Sequence, residues 1–108
     1  MNVLNGDQFK KEISGKTPIL IDFYADWCGP CKMLSPILDD LSKDKDFEGK
    51  LKFGKLNTED YPELAAENSV SGIPCLIIFK NNKEVSRIVG YAPKPIIKAK
   101  ISSELGKL

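Results

Sequence analysis

Trp27-Cys28-Gly29-Pro30-Cys31-Lys32 is the stretch on which the reading of this chain turns. Two cysteines sit three positions apart with Gly and Pro between them. An apolar, strand-like run from Ile19 to Ala25 leads in. A helix-like pattern of Met33, Leu34, Ile37, Leu38 and Leu41 leads out. A C-x-x-C pair at a strand-to-helix junction points to redox chemistry.

Residues three apart on a helix share a face, with Cβ atoms about 5–6 Å apart, whereas a disulfide wants about 3.8 Å. Small adjustments in the first turn close that gap, so Cys28 and Cys31 can pass between dithiol and disulfide. Pro30 fixes φ where the missing N–H has no helical partner to lose. Cys28 then stands at a helix N-terminus, where free N–H groups and the dipole favour the attacking thiolate. Cys31, one turn in, is expected to be more buried and to attack second. A zinc site is the competing reading, but structural zinc takes four ligands, and the chain has three cysteines and no histidine.

The missing histidine also disfavours hydrolases built on a His partner, so proton transfer falls to a carboxylate, a lysine or water. Asp22 is the candidate, because a carboxylate inside an apolar strand is costly unless exposed, paired or neutral. Burial would raise its pKa and make it an acid/base near neutral pH. A solvated strand end is the alternative. Lys55, on the expected neighbouring strand, is either a partner for Asp22 or an ordinary surface lysine.

A chain of 108 residues is read as one domain, 1–108. With 42% hydrophobic and 29% charged residues, and 16 basic against 15 acidic side chains, it has a net charge of +1. That balance argues against nucleic acid or an anionic membrane as the main partner. No stretch approaches the roughly 18 apolar residues of a membrane span. The first residues do not read as a signal peptide, which points to the cytoplasm, where cysteine pairs are more often catalytic or metal-binding than structural.

Around the motif, Asn5 and Gln8 form a capping box for a first helix that Gly15 ends. Leu51 to Asn57 reads as a strand, and Lys43 to Lys50 as a solvated helix end and loop. Asp60 is expected to cap a helix beginning at Tyr61-Pro62. Cys75 to Phe79 is a strong strand. Asn81-Asn82 turns it back as Glu84 to Val89, and Pro93 or Pro95 opens a last helix with Ile97, Ile101 and Leu105 inward. Pro36 is expected to kink the helix after Cys31. The order β-α-β-α-β-α-β-β-α, with a very short first strand at Val3-Leu4, suggests an α/β sandwich.

These residues resemble the thioredoxin family. The resemblance rests on Trp27 to Lys32, Asp22 to Ala25, Pro36, Lys55-Leu56-Asn57, Ser71-Gly72-Ile73-Pro74, Phe79-Lys80-Asn81 and Val89-Gly90. It implies a thioredoxin fold: an α/β architecture with a central mixed five-stranded sheet, order 1-3-2-4-5, flanked by four helices. It implies a cis Ile73–Pro74 bond and a role for Asp22 as proton acceptor for Cys31, with Lys55 nearby. It implies a substrate groove bordered by Trp27, Gly29, Pro30, Gly72, Ile73, Pro74, Gly90 and Tyr91. The activity implied is protein-disulfide reduction with no cofactor beyond the Cys28–Cys31 disulfide and no metal. The partners implied are a thioredoxin reductase, NADPH- or ferredoxin-dependent, and disulfide-containing client proteins, the chain acting as a monomer. Gly-Pro between the cysteines resembles the reducing members of the superfamily. An oxidant or isomerase, and a module that only binds partners, remain the competing functions. Cys75 departs from the family, which commonly has threonine there. It is either a buried core residue or a third thiol close enough to act on the site.

Overall fold

The computed structural model describes residues 1–108. In chain order the elements are β1 (Asn2–Val3), α1 (Gly6–Ile13), β2 (Ile19–Tyr24), α2 (Gly29–Ser42), β3 (Lys52–Asn57), α3 (Pro62–Glu67), β4 (Cys75–Lys80), β5 (Lys83–Val89) and α4 (Lys94–Leu105), with a short 3-10 helix at Lys45–Phe47. The five strands form one sheet in the order β1-β3-β2-β4-β5. β1, β3 and β2 run parallel. β4 is antiparallel to β2, and β5 to β4. This is the thioredoxin fold expected above.

β2 is buried along nearly its whole length because both faces are covered. Alternation sends its side chains to two cores. Leu20, with Leu76 and Ile78 of β4, packs against Leu34, Leu38 and Leu41 of α2 and Ile97 and Ile101 of α4. Ile19, Ile21 and Phe23, with Cys75, Ile77 and Phe79, pack against Phe9 of α1 and Leu64 of α3. Phe9 meets Phe23 and Phe79 edge-on, at centroid distances of 5.9 and 5.6 Å. Each such side chain contributes roughly 1.5–3 kcal/mol by leaving water. Gly54 allows β1 to lie close to β3: a Cβ there would stand 3.0 Å from Leu4 Cδ1.

The local signals hold with small shifts. Asn5 and Gln8 form both halves of the capping box, at 2.8 and 2.9 Å. Asn81 and Asn82 take φ of 53° and 66°, as a tight hairpin requires. The first helix ends at Ile13 with Ser14 as its cap, and β1 is Asn2–Val3 instead of Val3-Leu4. α2 runs through Pro36 as one helix.

Two expectations fail. Tyr61, not Asp60, occupies the N-cap of α3, with no side-chain bond to the helix. The segment after α2 is more than a solvated loop: Phe47 is 2% exposed and joins the α2–α4 core. Charge density hid one aromatic anchor among lysines and acids. No helix is long and apolar enough to cross a membrane.

Candidate functional site

Parallel strands β2 and β3 end at the same edge of the sheet, and the chain leaving β2 turns there into α2. Cys28 is the N-cap of α2, with extended backbone (φ −83°, ψ 109°). Its Sγ accepts the Cys31 N–H at 3.2 Å, and its carbonyl accepts the Lys32 N–H at 3.1 Å. One free helix N–H is thus aimed at the sulfur, the arrangement that favours a thiolate. Pro30 takes an early position where no N–H is missed. Cys28 and Cys31 form a disulfide, Cα to Cα 5.2 Å.

Burial does not separate the two cysteines as the sequence suggested. Cys28 is 4% exposed and Cys31 3%. Their surroundings do separate them. Cys28 Sγ lies 3.9 Å from the Ile73 carbonyl, in the loop before β4. Cys31, and not Cys28, lines a cleft of about 260 Å³.

Asp22 lies in that cleft wall with Lys55 and Tyr24, and the exposed Asp26 and Lys32 border it. Asp22 is 1% exposed, and its Oδ1 has no hydrogen-bond partner. Burial pushes its carboxyl up to about 7, and the Lys55 ammonium offsets only part of that. The solvated-strand-end reading is therefore excluded. Lys55 stands in register with Asp22 across the β2–β3 pair. It makes no ion pair with Asp22. Its Nζ lies instead over the Tyr24 ring, 4.8 Å from the centroid.

Of the residues expected to border a groove, Ile73 packs against Ala25, Cys28 and Cys31. Ile73–Pro74 is a cis peptide, and the Pro74 carbonyl accepts the Gly90 N–H at 2.8 Å. That bond joins the loop before β4 to the end of β5. Gly90 has φ of 90°, a conformation glycine adopts without strain. Gly29, Pro30 and Gly72 are exposed, Ile73 is partly exposed, and Pro74 is buried. Trp27 is 69% exposed and Tyr91 40%. The Trp27 indole N–H donates to the Glu59 carboxylate. Glu59 is set in place by its own N–H, which donates to Asn57 Oδ1 at 2.9 Å.

Cys75 is 1% exposed and belongs to the core under α1 and α3. It pairs with Phe23 in the β2–β4 ladder, while Asp22 pairs with Leu76. Alternation therefore turns Cys75 to the face opposite Asp22 and the cleft. Burial pushes its thiol up, away from the reactive thiolate. This placement favours the core-residue reading over a third thiol at the site.

Three contributors escaped the sequence reading. Glu59 gave no signal, since 32 positions separate it from Trp27. Tyr24 follows Asp22 by two residues, so strand alternation alone puts them on one face. Arg87 of β5 donates to the Asn68 and Ser69 carbonyls at 2.6 and 3.0 Å while gripping Glu84 through two bonds. It thereby ties down the end of α3, from which the chain runs to Gly72-Ile73-Pro74.

Comparison with known proteins agrees with this geometry. The thioredoxin family model matches residues 1–103. Thioredoxin 1 of Nostoc sp. is 38% identical over 98 residues, spanning 90% of each chain. Thioredoxin of Pyropia yezoensis is 44% identical over 87 residues, spanning 80% of this chain and 79% of the relative. The crystal structure of Malassezia sympodialis thioredoxin superposes with a TM-score of 0.88 at 31% identity, covering 97% of this chain and 90% of that one.

Proposed function

The chain belongs to the thioredoxin family, and from that premise we propose that it is a general protein-disulfide reductase in which Cys28 attacks, Cys31 resolves and Asp22 takes the resolving proton. The family's chemistry is protein-disulfide oxidoreduction through the active-site disulfide itself. The observation that carries the assignment of roles is the asymmetry around the pair. Cys28 sits at the helix N-cap facing the Ile73 carbonyl, and Cys31 faces the cleft that holds Asp22.

In the forward direction the Cys28 thiolate attacks one sulfur of a client disulfide. A mixed disulfide forms, and the other client sulfur leaves as a thiolate that takes a proton from water. Cys31 then gives its proton to the Asp22 carboxylate and attacks Cys28 Sγ. The mixed disulfide breaks, the second client thiolate departs, and the Cys28–Cys31 disulfide closes. Two electrons have moved to the client. With its carboxyl at about 7, Asp22 is ionised and protonated in comparable amounts at neutral pH. It can accept that proton and later lose it to water through the cleft. Lys55 moderates how strongly Asp22 holds the proton.

An extended client segment lies along Gly72-Ile73-Pro74, its main chain pairing beside Ile73. Trp27, Gly29, Pro30, Gly90 and Tyr91 form the rest of that surface. The exposure of Trp27 and Tyr91 supports this reading. The chain works as a single domain and a monomer in the cytoplasm, carrying electrons from an NADPH- or ferredoxin-dependent reductase to client proteins.

The test is direct. Catalytic amounts of the protein will accelerate reduction of a protein disulfide by dithiothreitol well above dithiothreitol alone. Equal rates with and without the protein would overturn the proposal.

A further inference from the structure

The mechanism leaves Tyr24 without a task, although its position is unusual. Asp22 and Tyr24 are two apart on β2, so both point to the α2 face. Lys55 is paired with Asp22 in the β2–β3 register and so lies beside both. A lysine in that place has two choices. It can reach toward the buried carboxylate, or extend its flexible stem into water. It does neither. Its ammonium rests on the Tyr24 ring, 4.8 Å from the centroid, within the same cleft wall as Asp22. The negative face of an aromatic ring attracts a cation at this range.

We infer that Tyr24 is a positioning residue: its ring holds the Lys55 ammonium in the cleft, facing Asp22, and thereby sets how tightly that carboxyl keeps the proton it receives from Cys31. The inference rests on the reading of Asp22 as proton acceptor given above. The ring acts at one remove, because it touches the lysine and not the reacting atoms. Without it, Lys55 moves into water, where its charge is screened, and Asp22 loses its one opposing charge at close quarters.

The other groups around Asp22 do not replace that charge. From α2 come Cys31 and the exposed Lys32 at the cleft border, where Asp26 opposes it in sign. β4 presents Leu76 directly across, and Cys75 lies on the far face of the sheet. Asp60 acts on Tyr24 from the segment before α3, and with Asp26 and Asp22 it holds the phenol's pKa up, after burial. Tyr24 therefore serves as a neutral ring at working pH.

The test compares Tyr24→Leu, Tyr24→Phe, Lys55→Met and the double variant Tyr24→Leu/Lys55→Met in the reduced protein. Two quantities are read: the titration of the Asp22 carboxyl carbon by NMR, and the pH profile of client-disulfide reduction. Tyr24→Leu should move the Asp22 titration upward, by part but not more than the whole of the shift that Lys55→Met produces. Tyr24→Phe keeps the ring and should leave the midpoint in place. Lys55→Met should raise it, and adding Tyr24→Leu to Lys55→Met should change nothing more. Tyr24→Met gives the same reading should the leucine variant fail to fold. The inference is overturned if Tyr24→Leu leaves the titration unmoved, if Tyr24→Phe moves it equally, or if the shift persists undiminished beside Lys55→Met. If the Asp22 titration moves as stated but the pH profile of reduction does not follow it, Tyr24 keeps its role and Asp22 loses the proton-acceptor role.

Discussion

Replacing Cys31 with serine will leave a protein that reacts once and stops. Cys28 remains at the N-cap of α2, with the Cys31 position still offering its backbone N–H to the sulfur. Its thiolate will still open a client disulfide. The serine hydroxyl cannot displace a thiolate from sulfur, so the mixed disulfide persists. With no added thiol, clients accumulate covalently on Cys28, visible on non-reducing gels and by mass spectrometry; with dithiothreitol, an external thiol must open each adduct, and turnover falls well below that of the parent. Cys28→Ser abolishes turnover too, but should give no such adducts, because Cys31 lines the Asp22 cleft, whereas Cys28 holds the N-cap beside the Ile73 carbonyl. Adducts on Cys31 in that variant would reverse the assigned roles.

Asp22→Asn will make the fold more stable and the exchange slower, and pH separates the two effects. In the unfolded chain this carboxyl titrates near its ordinary 3.8, while in the folded chain burial holds it at about 7. As pH rises through this window the unfolded chain gives up its proton first, so folding stability falls. The loss is absent below pH 3.8 and complete above pH 7. It amounts to about 4 kcal/mol at full extent. Asparagine has no proton to lose. The variant should match the parent near pH 4 and exceed it by a few kcal/mol at pH 8, measured by urea unfolding at both pH values. A parent more stable than the variant at pH 8 would contradict the burial argument. The resolving step, deprived of its base, should slow by about 10²-fold at pH 7.5, the low end of what a positioned base supplies. The protein thus keeps a costly carboxylate in its interior, as expected where stability is exchanged for chemistry.

Much of this was legible beforehand because the signals were local. The unbroken apolar run of β2 announced a strand covered on both faces. The capping box at Asn5 and the Asn81-Asn82 turn declared themselves through side chains and φ preferences near in sequence. Asp22 stood out as the one charge in β2. What stayed hidden depended on distant choices. No spacing rule links Trp27 to Glu59, or Arg87 to the carbonyls of Asn68 and Ser69. Lys55 could be placed beside Asp22, but its preference for the Tyr24 ring depends on where a flexible stem comes to rest. Phe47 was lost among charges, because one aromatic makes no periodic pattern. The side of the sheet that Cys75 faces followed from alternation once its register partner was known. That register is a property of the assembled sheet.

The sealed position of Cys75 has a practical corollary. Of the chain's three cysteines only the Cys28–Cys31 pair changes its count of thiols with redox state: none when the pair is closed, two when it is open. A thiol-reactive tag applied to the native protein therefore counts its oxidation state in whole steps of two, with no constant background from a third thiol. The same wall keeps that sulfur from cross-linking one copy to another, so a closed pair has no spare thiol through which to be reopened from within.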